Sequence, residues 1–231
     1  MQAALLYGAG DLRAGEAPRP KVSHPDDVLI RIHACGICPS DLRVYTGMRQ
    51  AHGKPPSVPG HEWAGEVLAV GEEVQGFEPG DRVVPSWRVV CGQCYYCVRG
   101  IWNYCENLTQ GRVRGGFAEY GVAPARSLLH IPEGVSYEEA SFCEPLACCL
   151  NGSHWSGVSL GQNVVVIGAG PIGLTHLQLA RAAGARTMSV DLMAERLAKA
   201  RELGASEVID ARQEDPVQRV KELTDGRGAD V

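Results

Sequence analysis

The stretch Val164-Val-Val-Ile-Gly-Ala-Gly-Pro-Ile-Gly173 predicts the fold of the second half of the chain. Its apolar run fits a strand that is buried on both faces of a parallel sheet. The run leads into Gly168-x-Gly170-x-x-Gly173, which opens an amphipathic helix ending near Gly184. In this pattern the first glycine permits a tight turn, the second lets the backbone approach a pyrophosphate, and the third lets the helix pack closely on the strand. We therefore predict a dinucleotide-binding turn, with the pyrophosphate at the positive end of the helix dipole.

An acidic residue follows this turn at the separation that ribose recognition needs. The next predicted strand, residues 187–190, ends at Asp191, about 20 residues after the first glycine. A carboxylate there accepts hydrogen bonds from the adenosine ribose and repels a 2′-phosphate, which favours NAD over NADP. Alone, Asp191 also fits a helix N-cap and the glycines fit a structural turn, so the prediction depends on both together. The predicted cofactor-binding residues are Gly168, Gly170, Pro171, Ile172, Gly173, Asp191 and Arg196.

Length and composition describe an ordinary globular protein. The 231 residues are 45% hydrophobic and 21% charged, with a net charge of −5. This balance gives no electrostatic reason to expect nucleic acid or an anionic membrane as a partner, and no apolar run reaches the length of a membrane span. The N-terminus lacks a signal-peptide pattern, and the odd count of nine cysteines argues against a disulfide framework. We therefore expect a cytoplasmic protein.

The first part of the chain reads as mostly β. Short strands between Gly/Pro turns favour a barrel or a sandwich. The predicted strands are residues 1–7, 28–33, 65–70, 82–85 and 118–122, with a loop after the first strand to residue 25. Ser136-Tyr-Glu-Glu139 is a capping box. It predicts one helix over residues 137–150, ended by Asn151-Gly152.

From residue 153 onward strands and helices alternate, which places a predicted domain boundary between residues 152 and 153. A helix over residues 194–203 and a strand over 207–209 are predicted next, followed by a helix with Pro216 at its first position. Val217, Val220 and Leu223 are predicted on its buried face, and a further strand begins at residue 229. In a doubly wound sheet these strands are the first three and the start of the fourth. We therefore expect residues 153–231 to be the first half of a truncated Rossmann domain.

Four cysteines lie within fifteen residues, as Cys91-x2-Cys94-x2-Cys97-x7-Cys105. Zinc binds four thiolates tetrahedrally in closed structural sites, and short Cys-x-x-Cys steps let the backbone wrap the ion. A redox pair would need only two of these thiols, and ordinary buried cysteines would not cluster along the sequence. The four residues therefore predict a structural zinc site with no position open for a substrate.

Several motifs together resemble the zinc-containing medium-chain alcohol/polyol dehydrogenases, which include sorbitol and threonine dehydrogenases. The shared motifs are Cys35-Gly-Ile-Cys38-Pro-Ser-Asp41, Gly60-His61-Glu62, Gly80-Asp81-Arg82-Val83, the four cysteines, Glu144-Pro145-Leu146 and the glycine pattern. The resemblance implies an α/β chain in which residues 1–152 form a GroES-like β-barrel domain with a catalytic and a structural zinc. Residues 153–231 then begin the Rossmann domain. Family members continue beyond Val231 and commonly form dimers or tetramers, so a homo-oligomer is expected.

The resemblance also implies that Cys38 and His61 hold the catalytic zinc, with a carboxylate as the third ligand and one position open for water or substrate. Spacing alone does not give this site. Cys35 and Cys38 also read as a metal or redox pair, and a lone histidine is more often a core or surface residue. The family pattern selects Cys38 over Cys35.

Two carboxylates are candidates for the third ligand. In the polyol-like branch the glutamate after the histidine, here Glu62, coordinates the metal, while the later one, here Glu144, acts through water. We favour Glu62 as the ligand and Glu144 as a catalytic group beside it. Cys143 is a nearby thiol that complicates the choice; with Cys148 and Cys149 it also fits small buried core filler.

The implied reaction is hydride transfer from a small-molecule secondary alcohol to NAD. The metal polarises the alcohol oxygen and lowers its pKa, and the nicotinamide takes the hydride. In the family Ser40 relays the hydroxyl proton outward, usually to a histidine three residues on. Here that residue is Arg43, which stays protonated and cannot serve as the relay base. His52 and bulk water are the alternative exits.

Two other functions stay open on the sequence alone. The second hypothesis is that the same fold acts on primary alcohols or aldehyde adducts. A substrate profile would separate these reactions from the oxidation of a secondary alcohol. A zinc-stabilised binding module or an inactive truncated product is the third hypothesis. Metal content discriminates it, because two zinc ions per chain favour the enzyme and one favours the structural interpretation.

Overall fold

The structure is a computed structural model, and it describes residues 1–50, 54–86, 88–108, 113 and 115–231. The chain divides into two compact units, Met1–Glu144 and Pro145–Val231. This division and the predicted boundary at residues 152 and 153 both fall within one helix, Cys143–Ser156. The predicted boundary therefore stays a prediction.

The first unit is built on antiparallel strands. Its main sheet contains β3 (Asp27–Gly36), β4 (Glu62–Val70), β5 (Arg82–Pro85), β6 (Tyr120–Pro124) and β7 (Leu128–His130). These strands lie side by side in the order β6-β3-β4-β5-β7. Every pairing in this order is antiparallel. In the described part of the chain the sheet is an open half-barrel.

The core of this unit follows from the alternation of side chains along β3 and β4. Val28 and Ile30 on β3 and Trp63 and Val67 on β4 are buried and pack in one cluster with Val83 of β5. Successive strand residues point to opposite faces, so these apolar positions share one face of the sheet. Burying a side chain of this size contributes roughly 1.5–3 kcal/mol.

A hairpin replaces part of the loop that the sequence predicted before residue 25. Strand β1 (Gln2–Gly8) pairs with β2 (Asp11–Glu16), and Gly10 has φ +74° in the turn between them. The prediction of a continuous loop was wrong. Strand β2 is mostly exposed and contains no β-branched residue, so it lacks the apolar alternation by which strands are recognised.

Among the residues that the structure describes up to residue 156, three segments are α-helical. They are α1 (Pro39–Tyr45), α2 (Tyr137–Ser141) and α3 (Cys143–Ser156). The capping box is present, since Ser136 Oγ accepts the Glu139 N–H at 3.1 Å and Glu139 Oε2 accepts the Ser136 N–H at 2.8 Å. The single helix predicted here was wrong, because the chain breaks at Phe142 and α3 runs on through Asn151-Gly152. A glycine suits position 152 of this helix because there is no room for a side chain: a Cβ there would lie 2.9 Å from His176 Cε1.

The second unit contains the parallel sheet that the sequence predicted. Strands β8 (Asn163–Ile167), β9 (Arg186–Asp191) and β10 (Glu207–Asp210) pair in parallel in the order β10-β9-β8. The connecting helices are α4 (Pro171–Ala182), α5 (Ala194–Glu202) and α6 (Pro216–Leu223). None of the helices in the described ranges combines the length and the apolar character needed to cross a bilayer.

Two apolar residues of this unit are more exposed than the sequence predicted. Val217 is 65% exposed, whereas Val220 is buried and packs with Leu223. In a helix, the step from residue i to residue i+3 falls roughly 60° short of a full turn. Positions 217, 220 and 223 therefore spread over about 120° around the helix, and Val217, at one end of this arc, lies outside the buried face. Strand β8 is not buried along its whole length either, because Ile167 is 84% exposed.

The last residues do not form an assigned strand, contrary to the prediction of a strand beginning at residue 229. They nevertheless bond to β8 as a parallel neighbour would. The Asp230 N–H donates to Asn163 O at 2.8 Å, and the Val165 N–H donates to Val231 O at 2.9 Å. These bonds lie on the side of β8 opposite β9, where the doubly wound order places the fourth strand.

Candidate metal and nucleotide sites

Three side chains from two separate segments converge in the first unit. Cys38 is the N-cap of α1, and His61 and Glu62 stand where β4 begins. One potential ligand atom from each lies within 4.8 Å of the other two. We call Cys38, His61 and Glu62 the metal cluster. Glu62 is buried, while the other two residues are half-buried.

The start of α1 fixes Cys38, and it does so through a residue that the sequence reasoning gave no role. The Cys38 N–H donates to Asp41 Oδ2 at 2.9 Å, and the Ser40 N–H donates to Cys38 Sγ at 3.5 Å, so the pair forms a capping box. Asp41 Oδ1 also lies 3.7 Å from His61 Nδ1. The spacing Cys38-x-x-Asp41 was the available signal, because a capping residue with an acid three positions on marks a helix start.

The protonation of the metal cluster reflects burial and neighbouring charge. Burial raises the pKa of Cys38 and the pKa of Glu62, because it disfavours the charged form of each. The Asp41 carboxylate raises the pKa of His61, and the charges of Glu144 and Glu62 raise it further. A divalent cation would supply the positive charge that a buried thiolate and carboxylate need.

The donor set fits zinc. Zinc accepts S, N and O ligands at about 2.0–2.3 Å, so three ligand atoms of a tetrahedral ion lie roughly 3.3–3.8 Å apart. The atoms of the metal cluster, all within 4.8 Å of one another, are near that spacing. Three protein ligands leave a fourth position open, as in catalytic zinc sites.

Neighbouring cysteines do not join the metal cluster. Cys35 is half-buried, its thiol donates to Gly36 O at 3.4 Å, and burial raises its pKa to about 12. Cys143 and Cys148 are exposed. Their interpretation as buried core filler was therefore wrong, whereas Cys149 is buried as that interpretation requires.

The four-cysteine cluster comprises Cys91, Cys94, Cys97 and Cys105. Their sulfur atoms lie within 4.8 Å of one another, and Cys91 Sγ lies 3.9 Å from Cys97 Sγ. A tetrahedral zinc with bonds of about 2.3 Å holds its sulfurs about 3.8 Å apart. Backbone and amide donors support the thiolates, since the Cys91 N–H points to Cys105 Sγ at 3.3 Å and Asn107 Nδ2 to Cys91 Sγ at 3.8 Å. The cluster therefore has the dimensions of a closed zinc site.

In the second unit, the glycines of the glycine turn, Gly168 to Gly173, meet different structural requirements. Gly168 has φ +98°, a left-handed conformation that favours glycine. Gly173 packs on the turn so closely that a Cβ would lie 1.7 Å from Gly168 O. No heavy atom lies within 4 Å of a Cβ placed at Gly168 or Gly170. The turn is thus tight on its inner side and open on the side that a pyrophosphate approaches.

The helix that follows the turn begins without a side-chain cap. Gly170 is the N-cap of α4, and Pro171 occupies the first helical position. Ile172 is 46% exposed. Helix N-termini present backbone N–H groups and a positive partial charge to an anion. A phosphate group therefore fits this end of α4.

Asp191 is buried and closes the turn from the neighbouring strand. Its Oδ2 accepts the Ala169 N–H at 2.7 Å, and its Oδ1 accepts the Met193 N–H at 2.8 Å. These backbone donors outweigh the effect of burial and lower the pKa of Asp191. Arg196 Nη1 lies 3.8 Å from Asp191 Oδ2. The alternative of Asp191 as a helix N-cap was wrong, since Met193 is the N-cap of α5.

The predicted proton route is only partly described. Ser40 lies in the first turn of α1, and Arg43 follows one helical turn later with an exposed side chain. Residues three apart share a helix face. His52 lies outside the described residues, so its proposed role as an exit stays a prediction.

Two family profiles match the chain. "Alcohol dehydrogenase GroES-like domain" matches residues 24–133, and "Zinc-binding dehydrogenase" matches residues 171–231. The first match contains the metal cluster and the four-cysteine cluster. The second begins at Pro171 and contains Gly173, the last glycine of the turn, and Asp191.

Curated relatives align with almost the whole chain. Sorbitol dehydrogenase of Bacillus subtilis (strain 168) is 36% identical over 237 residues, which cover 100% of this chain and 67% of the relative. L-threonine 3-dehydrogenase of Pyrococcus furiosus is 40% identical over 230 residues, covering 97% of this chain and 65% of the relative. The chain thus spans about two thirds of the length of these relatives.

Solved structures match the fold. The alcohol dehydrogenase TADH from Thermus sp. ATN1 superposes with a TM-score of 0.91 at 37% identity, covering 100% of this chain and 69% of that one. A candidate zinc-binding dehydrogenase from Sinorhizobium meliloti 1021, solved with NADP, has a TM-score of 0.86 at 36% identity, covering 94% and 64%.

Proposed function

The chain belongs to the zinc-containing medium-chain alcohol/polyol dehydrogenases, and from this we propose that it oxidises a secondary alcohol, either a polyol or an amino alcohol, to a ketone with NAD. The observation that carries the proposal is the convergence of Cys38, His61 and Glu62 within 4.8 Å. The relatives named for sorbitol and for threonine support the two alcohol classes.

Cys38, His61 and Glu62 would hold a catalytic zinc, and the four-cysteine cluster would hold a structural one. Zinc in an open site polarises an alcohol oxygen and lowers the pKa of its hydroxyl group. Membership of Glu62 in the metal cluster supports it as the third ligand. The negative charge of Glu144 raises the pKa of His61 and the pKa of Glu62. We propose that Glu144 acts on the site through water.

Ser40 would take the proton from the alcohol hydroxyl, since it sits in the first turn of α1 directly after Cys38. Arg43, one turn further on, stays protonated. It would instead keep a positive charge on this helix face and leave water as the next proton acceptor. An unchanged rate in Ser40→Ala would end the relay part of the proposal.

NAD is the proposed cofactor, and it supplies the hydride acceptor. The open side of the glycine turn would receive the pyrophosphate, and Asp191 would accept hydrogen bonds from the adenosine ribose. A 2′-phosphate would meet the Asp191 carboxylate, whose lowered pKa keeps it negative. The related structure with NADP makes the choice between the two cofactors a necessary measurement.

The test is the formation of NADH or NADPH by the full-length protein with sugar alcohols, L-threonine and simple alcohols, each supplied with NAD or NADP. We expect activity with a secondary alcohol and NAD, and its loss in His61→Ala. His130→Ala is the matched control, because His130 is an exposed histidine at the end of β7, outside the metal cluster. Its Nε2 lies 2.9 Å from Gly76 O. No activity with any substrate in the panel rejects the proposal.

Oxidation of primary alcohols or aldehyde adducts is the second candidate, and the structural match to an alcohol dehydrogenase supports it. The same panel separates it, because a preference for primary alcohols would exclude the polyol hypothesis. A chain with one zinc and no activity would instead be a structural zinc protein.

We further propose a cytoplasmic location and a homo-oligomer, a dimer or a tetramer. Cell fractionation tests the first. Light scattering of the full-length protein tests the second, and a monomeric mass would exclude it.

A further inference from the structure

Gly36 and Glu62 lie directly opposite each other on neighbouring strands of the main sheet of the first unit. Gly36 ends β3, Glu62 begins β4, and the two are partners in the antiparallel register. Residues directly opposite each other in such a pair place their side chains on the same face. The Glu62 side chain therefore lies over a strand position that has no side chain.

The fit between these two residues is close. A Cβ at Gly36 would lie 2.3 Å from Glu62 Oε2, 3.2 Å from its Cβ and 3.4 Å from its Cδ. Carbon atoms in contact are normally about 3.5–4.0 Å apart. Both the stem and the carboxylate of Glu62 thus occupy the space that a side chain at residue 36 would fill.

Backbone conformation does not explain the glycine. Gly36 is outside the set of glycines with positive φ, so an L-residue adopts its backbone without strain. Space is the remaining requirement, and Glu62 Oε2 is the nearest atom to that space.

A Cβ at residue 36 would displace the Glu62 carboxylate first, because Oε2 is the nearest atom and would have to move to a new side-chain rotamer. Glu62 Cβ and Cδ, at 3.2 and 3.4 Å, would have to give by only a few tenths of an ångström. The residue is 8% exposed, and a carboxylate oxygen of Glu62 lies within 4.8 Å of Cys38 Sγ. A new rotamer would carry the carboxylate away from Cys38.

We propose that Gly36 is a positioning residue for the metal-binding carboxylate: its missing side chain leaves the space in which Glu62 reaches Cys38 and His61. The inference rests on the proposed function, because it takes Glu62 as a zinc ligand. It also gives a role to the glycine of Cys35-Gly36-Ile37-Cys38 that is separate from any pairing of the two cysteines.

The test is the zinc affinity of Gly36→Ala, measured by competition with a chelator and by the visible spectrum of the cobalt-substituted protein. We expect the metal cluster to bind zinc about 10- to 100-fold more weakly, the usual loss when a supporting contact of a metal ligand is removed. The four-cysteine cluster should keep its zinc, which serves as an internal control for folding.

Gly8→Ala is the matched control. Gly8 also ends a strand and lies outside the positive-φ set, but nothing lies within 4 Å of a Cβ there. This variant should bind zinc as the wild type does. Zinc affinity in Gly36→Ala equal to that of Gly8→Ala overturns the inference.

A double-mutant cycle with Glu62→Ala separates positioning from a general effect on the fold. Glu62→Ala removes Oε2, the atom that the added methyl group would meet first, together with Cδ, and leaves Cβ at 3.2 Å. We therefore expect Gly36→Ala/Glu62→Ala to bind zinc no more weakly than Glu62→Ala alone. If Gly36→Ala fails to fold, the double variant should recover the folded state. Losses that multiply in the double variant overturn the inference. A wild-type chain with a single zinc overturns the proposed metal centre itself, and the inference with it.

Discussion

Asp41 joins two members of the metal cluster through one carboxylate. One of its oxygens accepts the Cys38 N–H, and the other lies 3.7 Å from His61 Nδ1. A carboxylate behind a metal-binding histidine fixes the ring orientation and raises the basicity of the ligand. At the scale of single residues, Asp41 therefore contributes to the site without belonging to the cluster.

We predict that Asp41→Asn weakens zinc binding at the metal cluster about 10-fold or more, because the amide still accepts the Cys38 N–H but no longer offers His61 a negative charge. Chelator competition measures the change. Asp81→Asn is the control, since Asp81 Oδ2 accepts the Glu78 N–H in a turn at 2.8 Å outside the metal cluster. Equal zinc affinities in the two variants would contradict the prediction.

We propose that Asp191 sets the cofactor preference, also at the scale of a single residue. We predict that Asp191→Ser lowers the ratio of kcat/KM with NAD to kcat/KM with NADP about 10- to 100-fold, because the ribose loses an acceptor and Arg196 loses a competing negative charge. Steady-state kinetics with both cofactors measure this ratio.

The control for Asp191→Ser is Asp210→Ser. Asp210 ends β10 as Asp191 ends β9, and it likewise accepts a backbone N–H, from Arg212 at 3.0 Å. We expect the cofactor ratio to change less than about 2-fold in this variant, because the ribose contact is assigned to Asp191 alone. A similar fall in both variants would assign the effect to the strand ends in general rather than to the ribose contact.

Strand β9 carries buried hydroxyls among apolar neighbours. Thr187 and Ser189 are each 1% exposed, and neither Thr187 Oγ1 nor Ser189 Oγ has a hydrogen-bond partner. Both lie on the same face as Asp191, because strand side chains alternate with a period of two. A buried hydroxyl without a partner loses its hydrogen bonds to water on folding, which costs about 1–3 kcal/mol.

We predict that Thr187→Val raises the free energy of unfolding by about 1 kcal/mol, because it removes that hydroxyl with little change of shape. Thr224→Val is the opposite control, since Thr224 is equally buried but its Oγ1 donates to Val220 O at 2.7 Å and accepts the Gly228 N–H at 2.8 Å. It should lower the free energy of unfolding by about 1–2 kcal/mol. Urea denaturation measures both, and changes of the same sign would refute the explanation.

At the scale of the whole molecule, metal content reports both clusters at once. We predict two zinc ions per wild-type chain and one in Cys94→Ser, with a lower melting temperature, because a structural zinc contributes its binding energy to folding. Cys149→Ser is the control, a cysteine buried outside both clusters, and it should keep both ions. Elemental analysis gives the counts. One zinc in the wild type, or two in Cys94→Ser, would contradict the assignment.

The strand and helix order of the second unit was predictable because each element there carries its own signal. Asp215-Pro216 illustrates this, since the Asp215 side chain caps α6 as the sequence indicates. Strand β2 and the break at Phe142 carried no such signal. Burial was predicted less well than element type, because the exposure of Val217 and Ile167 depends on what packs against them.

The sequence by itself determined the features that are contiguous in the chain: the glycine turn, the four-cysteine spacing and the motifs of the family. Such patterns act over a few residues, where bond geometry and helix or strand periodicity dominate. Only the tertiary structure decided which distant side chains meet, as in Asp41 beside His61, Asp191 on the Ala169 N–H and Glu62 over Gly36. Those contacts form between segments that fold onto one another, and their distances are fixed by packing rather than by spacing along the chain.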